Sequence, residues 1–438
     1  MSSNPTGADR TSSGAYAVYV LLLLVVANTL SYADRHLFSI LIPAIKAEFG
    51  LGDALLGFIG GPAFIISYVL LTIPLARLAD RWSRRGVLAI SAALWSMATA
   101  ACGLAGNVAL LGASRVLVGV GEAGGLPPSQ AMVSELFSAR VRSTALGVLA
   151  SATYFGLVLG LTGGAAIASI WGWRVAFFTL ALPGIPLALL IWLTGPARAA
   201  ASDRDPAPSA TRGETMWATT RACWSIPSLR LLALGMGVFN IFGYAGAIWM
   251  PAYFMRSHGM TVVEAGTWLG IGAAFGGVAG SLASGAIVDA LRPRDERWQL
   301  RVPALAFLCA FPLSILMLLV PAGTVVAVAG TDVPVVALIS TVTSFLASVW
   351  AGPSFGAATR LVRPDQRAQA AALLVVVINI MGSACGPLIA GAVSDALAGR
   401  FGQEALRYSL LALSFLIAVG GLLFWAASNR YVADLGSD

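Results

Sequence analysis

The sequence predicts an all-helical membrane protein whose twelve spans form two six-helix bundles, and three observations predict it. Of its 438 residues 58% are apolar and only 11% are charged, whereas a soluble domain carries about 25% charged residues. With a mean hydropathy of +0.83, the chain cannot cover a water-facing surface of its own size. Apolar stretches long enough to cross the hydrocarbon core, about 20 residues each, recur along its length. Only one long polar connection, residues 196–227, interrupts them, and it leaves six stretches on either side.

The expected spans are residues 16–45, 53–79, 86–106, 109–137, 142–170 and 174–195, then 228–256, 262–290, 302–322, 333–358, 367–395 and 405–427. Each is read as a helix because a lipid-exposed backbone must satisfy its own hydrogen bonds, and strand-like alternation is absent. The first stretch follows a polar Ser- and Gly-containing start, is longer than a signal-peptide core and lacks a small-residue cleavage site, so it is read as an uncleaved span. The expected divisions are therefore 1–195, a linker at 196–227 with a short helical piece near Thr215–Trp224, and 228–438.

Other classes are disfavoured by what the sequence holds. The net charge of +7 is spread over short clusters between apolar stretches and forms no stripe, so nucleic acid is not an expected partner. Cys102, Cys223, Cys309 and Cys385 stand far apart, which implies neither a disulfide framework nor a metal site. No Gly-x-Ser-x-Gly, His-Glu-x-x-His or P-loop occurs, so neither enzyme chemistry nor direct ATP use is expected, and no cofactor is implied. Basic residues in the short loops place about 20 on one side against roughly 5 on the other, which the positive-inside rule reads as the cytoplasm, with both termini there and a bacterial inner or plasma membrane as the setting.

Two groups of residues carry chemistry. At the junction of the second and third spans, Asp80 is followed by Arg81, Arg84 and Arg85; a carboxylate at a helix end can pair with such arginines or with a helix N-terminus and lock helix ends together. A weaker copy, Asp289 followed by Arg292 and Arg294, lies at the corresponding span of the second bundle. Within the membrane, the first span holds Asn28, Tyr32, Asp34, Arg35 and His36, and the fourth holds Arg115 and Glu122. A charge at the bilayer centre costs on the order of 3 kcal/mol, so these groups demand partners. Arg115 and Glu122, about two turns apart, share a helix face, and the four charges sum to zero.

The pattern at Asp80 resembles the signature of the major facilitator superfamily, with Ala76 and Ser83 in place of two glycines. The runs Asn28-x-x-x-Tyr32-Ala-Asp34-Arg35, Pro74 to Arg81, and Arg115-x-Leu-Val-Gly-Val-Gly-Glu122 are together similar to the spinster branch of that superfamily. The resemblance implies alternating access, transport of lysolipids or sphingoid phosphates, and a proton-titrating aspartate in the first span, here Asp34, with Glu122 as an auxiliary; the proton is the coupling ion.

Gly156, Gly160 and Gly164 recur at four-residue spacing in the fifth span, where small residues permit close helix approach; they are expected to slide against the other bundle. The second bundle offers no central charge. Its expected cavity-facing groups are Asn240, Tyr244, Ser340, Thr341, Thr343, Ser344 and Asn379, mixed with Phe239, Trp249, Trp268, Phe345 and Trp350. The substrate site is therefore expected to join Arg35, Arg115, Asn28 and Tyr32 to Asn240, Tyr244 and Asn379, with Asp80, Arg81, Arg84, Arg85 and Asp289 at a cytoplasmic gate. Charges from one bundle only suit an amphipathic substrate with one polar head. The sequence thus points to a monomeric, proton-coupled secondary carrier of an amphiphile or lipid within the bilayer. The alternatives are a carrier of small organic anions or drugs, and a non-transporting receptor or scaffold.

Overall fold

The computed structural model describes residues 8–138, 140–196, 216–328 and 330–435. Of the expected linker, residues 197–215, which carry its charged residues from Arg198 to Glu214, lie outside the described residues. Twelve long helices are present among the described residues. In the first half of the chain they are α1 (Ala8–Phe49), α2 (Asp53–Arg81), α3 (Arg84–Gly103), α4 (Val108–Leu136), α5 (Arg142–Trp171) and α6 (Trp173–Thr194). A linker helix, Met216–Ser225, leads to α7 (Pro227–His258), α8 (Val262–Leu291), α9 (Trp298–Leu319) and α10 (Val335–Arg360). Then come α11, built from Arg367–Val377, Ile378–Cys385 and Gly386–Phe401, and α12 (Ala405–Leu435), joined by a tight turn at Gly402–Glu404. One feature was not expected: between α9 and α10 a short antiparallel hairpin pairs β1 (Val325–Val328) with β2 (Thr331–Pro334).

The helices begin where local chemistry satisfies their free N–H groups. Ser83 caps α3 by accepting from the Gly86 N–H at 3.1 Å, Asn107 caps α4 through Leu110 at 2.9 Å, and Thr261 with Glu264 forms a reciprocal capping box on α8. Side chains distant in sequence cap two others: Asp434 accepts from the Ser228 N–H at the start of α7, and Asp395 from the N–H groups of Asp53 and Ala54 at the start of α2, all at 2.8 Å.

Contacts divide the chain into two units, residues 1–37 with 63–203, and 38–62 with 204–438. Residues 38–62, the facing ends of α1 and α2, pack in the second unit. The first unit's core joins Leu24 and Leu30 of α1 to Trp95 of α3, Met132 of α4 and Ile191 of α6. In the second unit, Phe239 of α7 stacks on Phe307 of α9 at 3.8 Å, and Phe307 meets Phe424 of α12 edge-on.

The two halves of the chain share irregularities as well as helices, as an internal repeat requires. Helix α4 breaks after Glu122 and α10 breaks after Ala347. A wider π-type stretch occurs at Leu159–Gly163 in α5 and at Ile378–Cys385 in α11; such insertions locally unwind a helix and recur at functional sites. At the basic end of each unit an ion pair ties two helices, with the signs exchanged: Arg84 of α3 pairs with Glu135 of α4, and Glu296, just before α9, pairs with Arg360 of α10 at 2.6 Å.

Candidate functional site

Midway along α1, successive residues point to different partners because consecutive side chains on a helix are about 100° apart. Asp34, fully buried, faces α3 and α4. Its Oδ1 accepts from the Thr99 hydroxyl at 2.8 Å and its Oδ2 from an Arg115 Nη at 2.5 Å. Arg35 turns instead to Glu122, whose Oε2 accepts from Nε at 2.7 Å and from Nη2 at 2.6 Å. The charges therefore pair crosswise, Asp34 with Arg115 and Arg35 with Glu122. The pairing follows from α4, which presents Arg115 and Glu122 two turns apart to the neighbouring α1 residues.

The two arginines differ in access. Side-chain exposure is 27% for Arg35 and 1% for Arg115. The Arg35 guanidinium lies 5.0, 4.8 and 4.9 Å from the ring centres of Tyr32, Phe64 and Tyr68, a cage of three aromatic faces that favours a cation. Arg115 is sealed behind Phe64, 5.3 Å from that ring. Of the two arginines expected to meet a ligand, Arg35 is accessible and Arg115 is held by a buried carboxylate. Glu122 is also buried, and its Oε1 has no hydrogen-bond partner among the described residues.

Other expected site residues are placed differently. Asn28 is buried and donates to the Leu24 carbonyl at 2.8 Å and to the Ser129 hydroxyl at 3.2 Å, so it ties α1 to α4 rather than facing a ligand. In the second unit, Asn240 is buried and donates to Met236, while Asn379 donates to Val375, each one turn back in its own helix. Tyr244 is half-buried. Phe239 and Trp249, expected at a cavity, belong to the core; the Trp249 indole N–H donates to the Pro387 carbonyl at 2.9 Å. Gly156 and Gly160 serve their own unit: a Cβ at either would strike α1, at Tyr32 and Thr29 or at Ala33 and His36. The close approach they permit fixes the α1 segment that carries the charges.

At the basic end, Asp80 accepts from Arg84 Nε and Nη2 at 3.0 and 2.9 Å, and Arg85 donates to the Gly195 carbonyl at 3.3 Å. Arg81, at the end of α2, is exposed. Asp289, expected at the same gate, is placed differently from Asp80. It is exposed without an ion pair among the described residues, and the charge tie in that region is Glu296 with Arg360. No group of His, Cys, Asp or Glu able to hold a metal ion occurs among the described residues.

A second ionic cluster escaped the sequence reading. Asp53, 3% exposed, accepts from Arg256 through two bonds of 2.7 and 2.9 Å, from Lys46 at 2.6 Å and from the Ser394 hydroxyl at 2.8 Å. With Asp395 capping α2, this cluster binds the ends of α1 and α2 to α7 and α11 inside the second unit. The packing is close enough that a Cβ at Gly391 would fall 2.2 Å from the Asp53 carbonyl, and one at Gly57 2.3 Å from that of Pro387. The available signal was Asp395, an acid carried within an otherwise apolar helix.

The profile of the Major Facilitator Superfamily matches residues 24–383. The chain belongs to that superfamily. It is 32% identical over 414 residues to an MFS-type efflux pump of Mycolicibacterium smegmatis, covering 94% of this chain and 93% of that protein. It is 28% identical to human protein spinster homolog 1, covering 97% of this chain and 82% of the relative. Among solved structures it resembles a bacterial homologue of the human lysosomal transporter spinster in an inward-facing, unoccupied conformation, with a TM-score of 0.83, 25% identity and coverage of 96% and 98%. This major facilitator protein is thus a spinster-like, multi-pass membrane transporter and not an enzyme.

Proposed function

We propose that this transporter is a proton-coupled carrier that exports an anionic amphiphile of the lysolipid or sphingoid-phosphate kind. The observation that carries the reading is Arg35: an accessible guanidinium held on one edge by Glu122, ringed by three aromatic faces, one residue from a fully buried aspartate. A guanidinium keeps its charge when desolvated and offers a planar fork to phosphate or carboxylate. The aromatic faces suit the apolar atoms that follow such a head. The similarity to an efflux pump supports outward movement, and the positive-inside rule puts the basic end in the cytoplasm.

The coupling follows from shared partners. While Glu122 is ionised, it competes with a substrate anion for Arg35. A proton on its unpartnered Oε1 weakens that hold and frees Arg35 for the anion, so proton and ligand favour each other's binding through one common group. Asp34 has both oxygens engaged, by Thr99 and Arg115, so a change in its partnership with Arg115 accompanies a change of conformation. Asp34 is the principal coupling residue in this scheme, and Glu122 prepares the site.

Flux of a labelled lysophospholipid in proteoliposomes under an imposed pH gradient tests the scheme. Asp34→Asn is expected to bind ligand yet lose gradient-driven net flux, and Arg35→Ala to lose binding by tenfold or more, as for a charge-assisted bond of about 1.5–3 kcal/mol. Full gradient-driven flux with an unshifted pH profile in Asp34→Asn would remove it from the coupling role. Unchanged affinity in Arg35→Ala would remove the headgroup assignment.

A further inference from the structure

At the basic end of the second unit, Arg301 leaves the first turn of α9 and meets two indoles. Its guanidinium lies 6.0 Å from the ring centre of Trp298, one turn earlier, and 5.3 Å from that of Trp425 on α12. Such contacts hold the charge but use none of the guanidinium's five N–H donors. Asp295 Oδ2 comes no nearer to Nη1 than 3.3 Å, from a side chain 34% exposed, a contact that water screens. Nε is buried and has no hydrogen-bond partner among the described residues, and a buried donor left unmet is costly. The surroundings are apolar and open: Leu305, one turn on from Arg301, Leu422, one turn before Trp425, and Trp425 itself are all exposed. A cation with spare donors therefore stands in a groove that faces hydrocarbon, beside tryptophans of the kind that mark the membrane–water boundary.

We infer that this groove holds the headgroup of an anionic phospholipid from the surrounding bilayer, with Arg301 on the phosphate oxygens and the indoles of Trp298 and Trp425 beside the glycerol. A guanidinium offers a planar fork to phosphate, and basic pockets between membrane helices recognise anionic headgroups. A zwitterionic lipid brings its own cation to a place that already holds one, so a lipid of net negative charge is preferred. The exposed leucines receive the acyl chains, which a free phosphate ion lacks. The first unit repeats the arrangement. An acid followed by Arg-Trp-x-x-Arg occurs twice in the chain, as Asp80 to Arg85 and as Glu296 to Arg301. Trp82 lies 6.3 Å, ring to ring, from Trp192 of α6, and both are exposed. Arg85 has no ion pair among the described residues; its one hydrogen bond there is to the Gly195 carbonyl just past the end of α6. The third and sixth helices of each half thus present one arginine and two tryptophans at the basic end.

The test is native mass spectrometry of detergent-purified full-length protein given equal amounts of a phosphatidylglycerol and a phosphatidylcholine with the same acyl chains. The parent is expected to retain phosphatidylglycerol about tenfold more strongly, as for one charge-assisted hydrogen bond. Arg301→Ala and Arg85→Ala should each lower the number of retained phosphatidylglycerol molecules by one, and the double variant should lower it by two. Arg301→Lys keeps the charge without the fork and is expected to fall between parent and alanine. Arg297→Ala, one turn before Arg301 and without an aromatic neighbour among the described residues, should leave retention unchanged. Should an alanine variant fail to elute as a monodisperse peak, glutamine at the same position serves in its place. Equal retention of the two lipids by the parent overturns the assignment. So does an equal loss in Arg297→Ala and Arg301→Ala, which would mark diffuse attraction by the basic loops. A loss in Arg301→Ala with none in Arg85→Ala upholds the site in the second unit and overturns its repeat in the first.

Discussion

Replacing Asp53 by asparagine should loosen the end of the molecule opposite the basic loops. In the second unit Asp53 gathers Arg256, Lys46 and Ser394 around one carboxylate that is 3% exposed. The Arg256 pair is bidentate with an arginine that is itself 16% exposed, and removing one partner of a buried pair costs about 3–5 kcal/mol. The Lys46 contact, from a side chain 35% exposed, is worth under about 1 kcal/mol after screening. Asparagine keeps one acceptor, which recovers part of the loss, so a net change of about 2–3 kcal/mol is expected, or roughly 30-fold or more in the equilibrium that holds this end closed. The assay is labelling of a cysteine at buried Leu56 by a membrane-impermeant maleimide, in a background lacking the four native cysteines. Labelling should rise at least tenfold in Asp53→Asn. It should fall back in Asp53→Leu combined with Arg256→Met, because replacing both charges by apolar groups removes the uncompensated arginine. Labelling equal to the parent in the single variant, or equally fast in single and double variants, would refute the reasoning.

Two other expectations concern the basic end. Asp80→Asn removes the carboxylate that holds Arg84 while leaving Arg84 its bond to Glu135. The protein should insert normally and show a several-fold change in maleimide labelling at the basic ends of α2 and α3; identical labelling and flux would count against a gating role. The Arg360 guanidinium holds the Glu296 carboxyl below the usual glutamate range, so the pair contributes above that range and its contribution is lost as pH falls through the depressed value. The difference in apparent melting temperature between parent and Glu296→Gln should be small, as for an exposed pair worth up to about 1 kcal/mol. It should be flat near neutrality and vanish in acid. A difference that grows as pH falls would contradict the pairing.

The fold was legible because hydrocarbon imposes a simple rule on sequence: about 20 apolar residues per crossing and basic loops between them. The helix ends shifted by several residues, most of all in α1 and α12, where apolar pattern gives way to amphipathic turns that remain helical. The intramembrane charges were legible for a related reason, since each stands out against an apolar background. Their partners were not. Arg115 and Glu122 share a face of α4, but only the rotation of α1 decides that Asp34 takes the first and Arg35 the second. Phe239 and Trp249 of the second unit were misplaced because a Trp or Phe suits a helix core and a cavity wall equally well. The Asp53 cluster was hidden for the opposite reason: Lys46, Asp53 and Arg256 sit at helix ends, where charges are ordinary, and only the fold brings residues 53, 256 and 395 together.

The four intramembrane charges Asp34, Arg35, Arg115 and Glu122 sum to zero, and this sets a condition on what can enter. An anion bound at Arg35 leaves the buried cluster with a net negative charge in surroundings that solvate it poorly, a costly state. Protons restore neutrality, so each negative charge on the ligand should bring in one proton. Asp34 and Glu122 provide two acceptors, and a phosphate monoester carries up to two negative charges, since its second pKa lies near 6. A long-chain carboxylate carries one. Proton uptake on binding, followed at pH 7.5 with an indicator dye in weakly buffered detergent solution, should therefore approach two per phosphate monoester and one per carboxylate. A proton taken by the phosphate itself counts equally, because the requirement is on total charge. Glu122→Gln makes the empty cluster positive by one and should lower both values by one. Equal uptake for the two ligands, or uptake unaffected by Glu122→Gln, would show that the cluster tolerates net charge, and coupling would then have to arise from conformation alone.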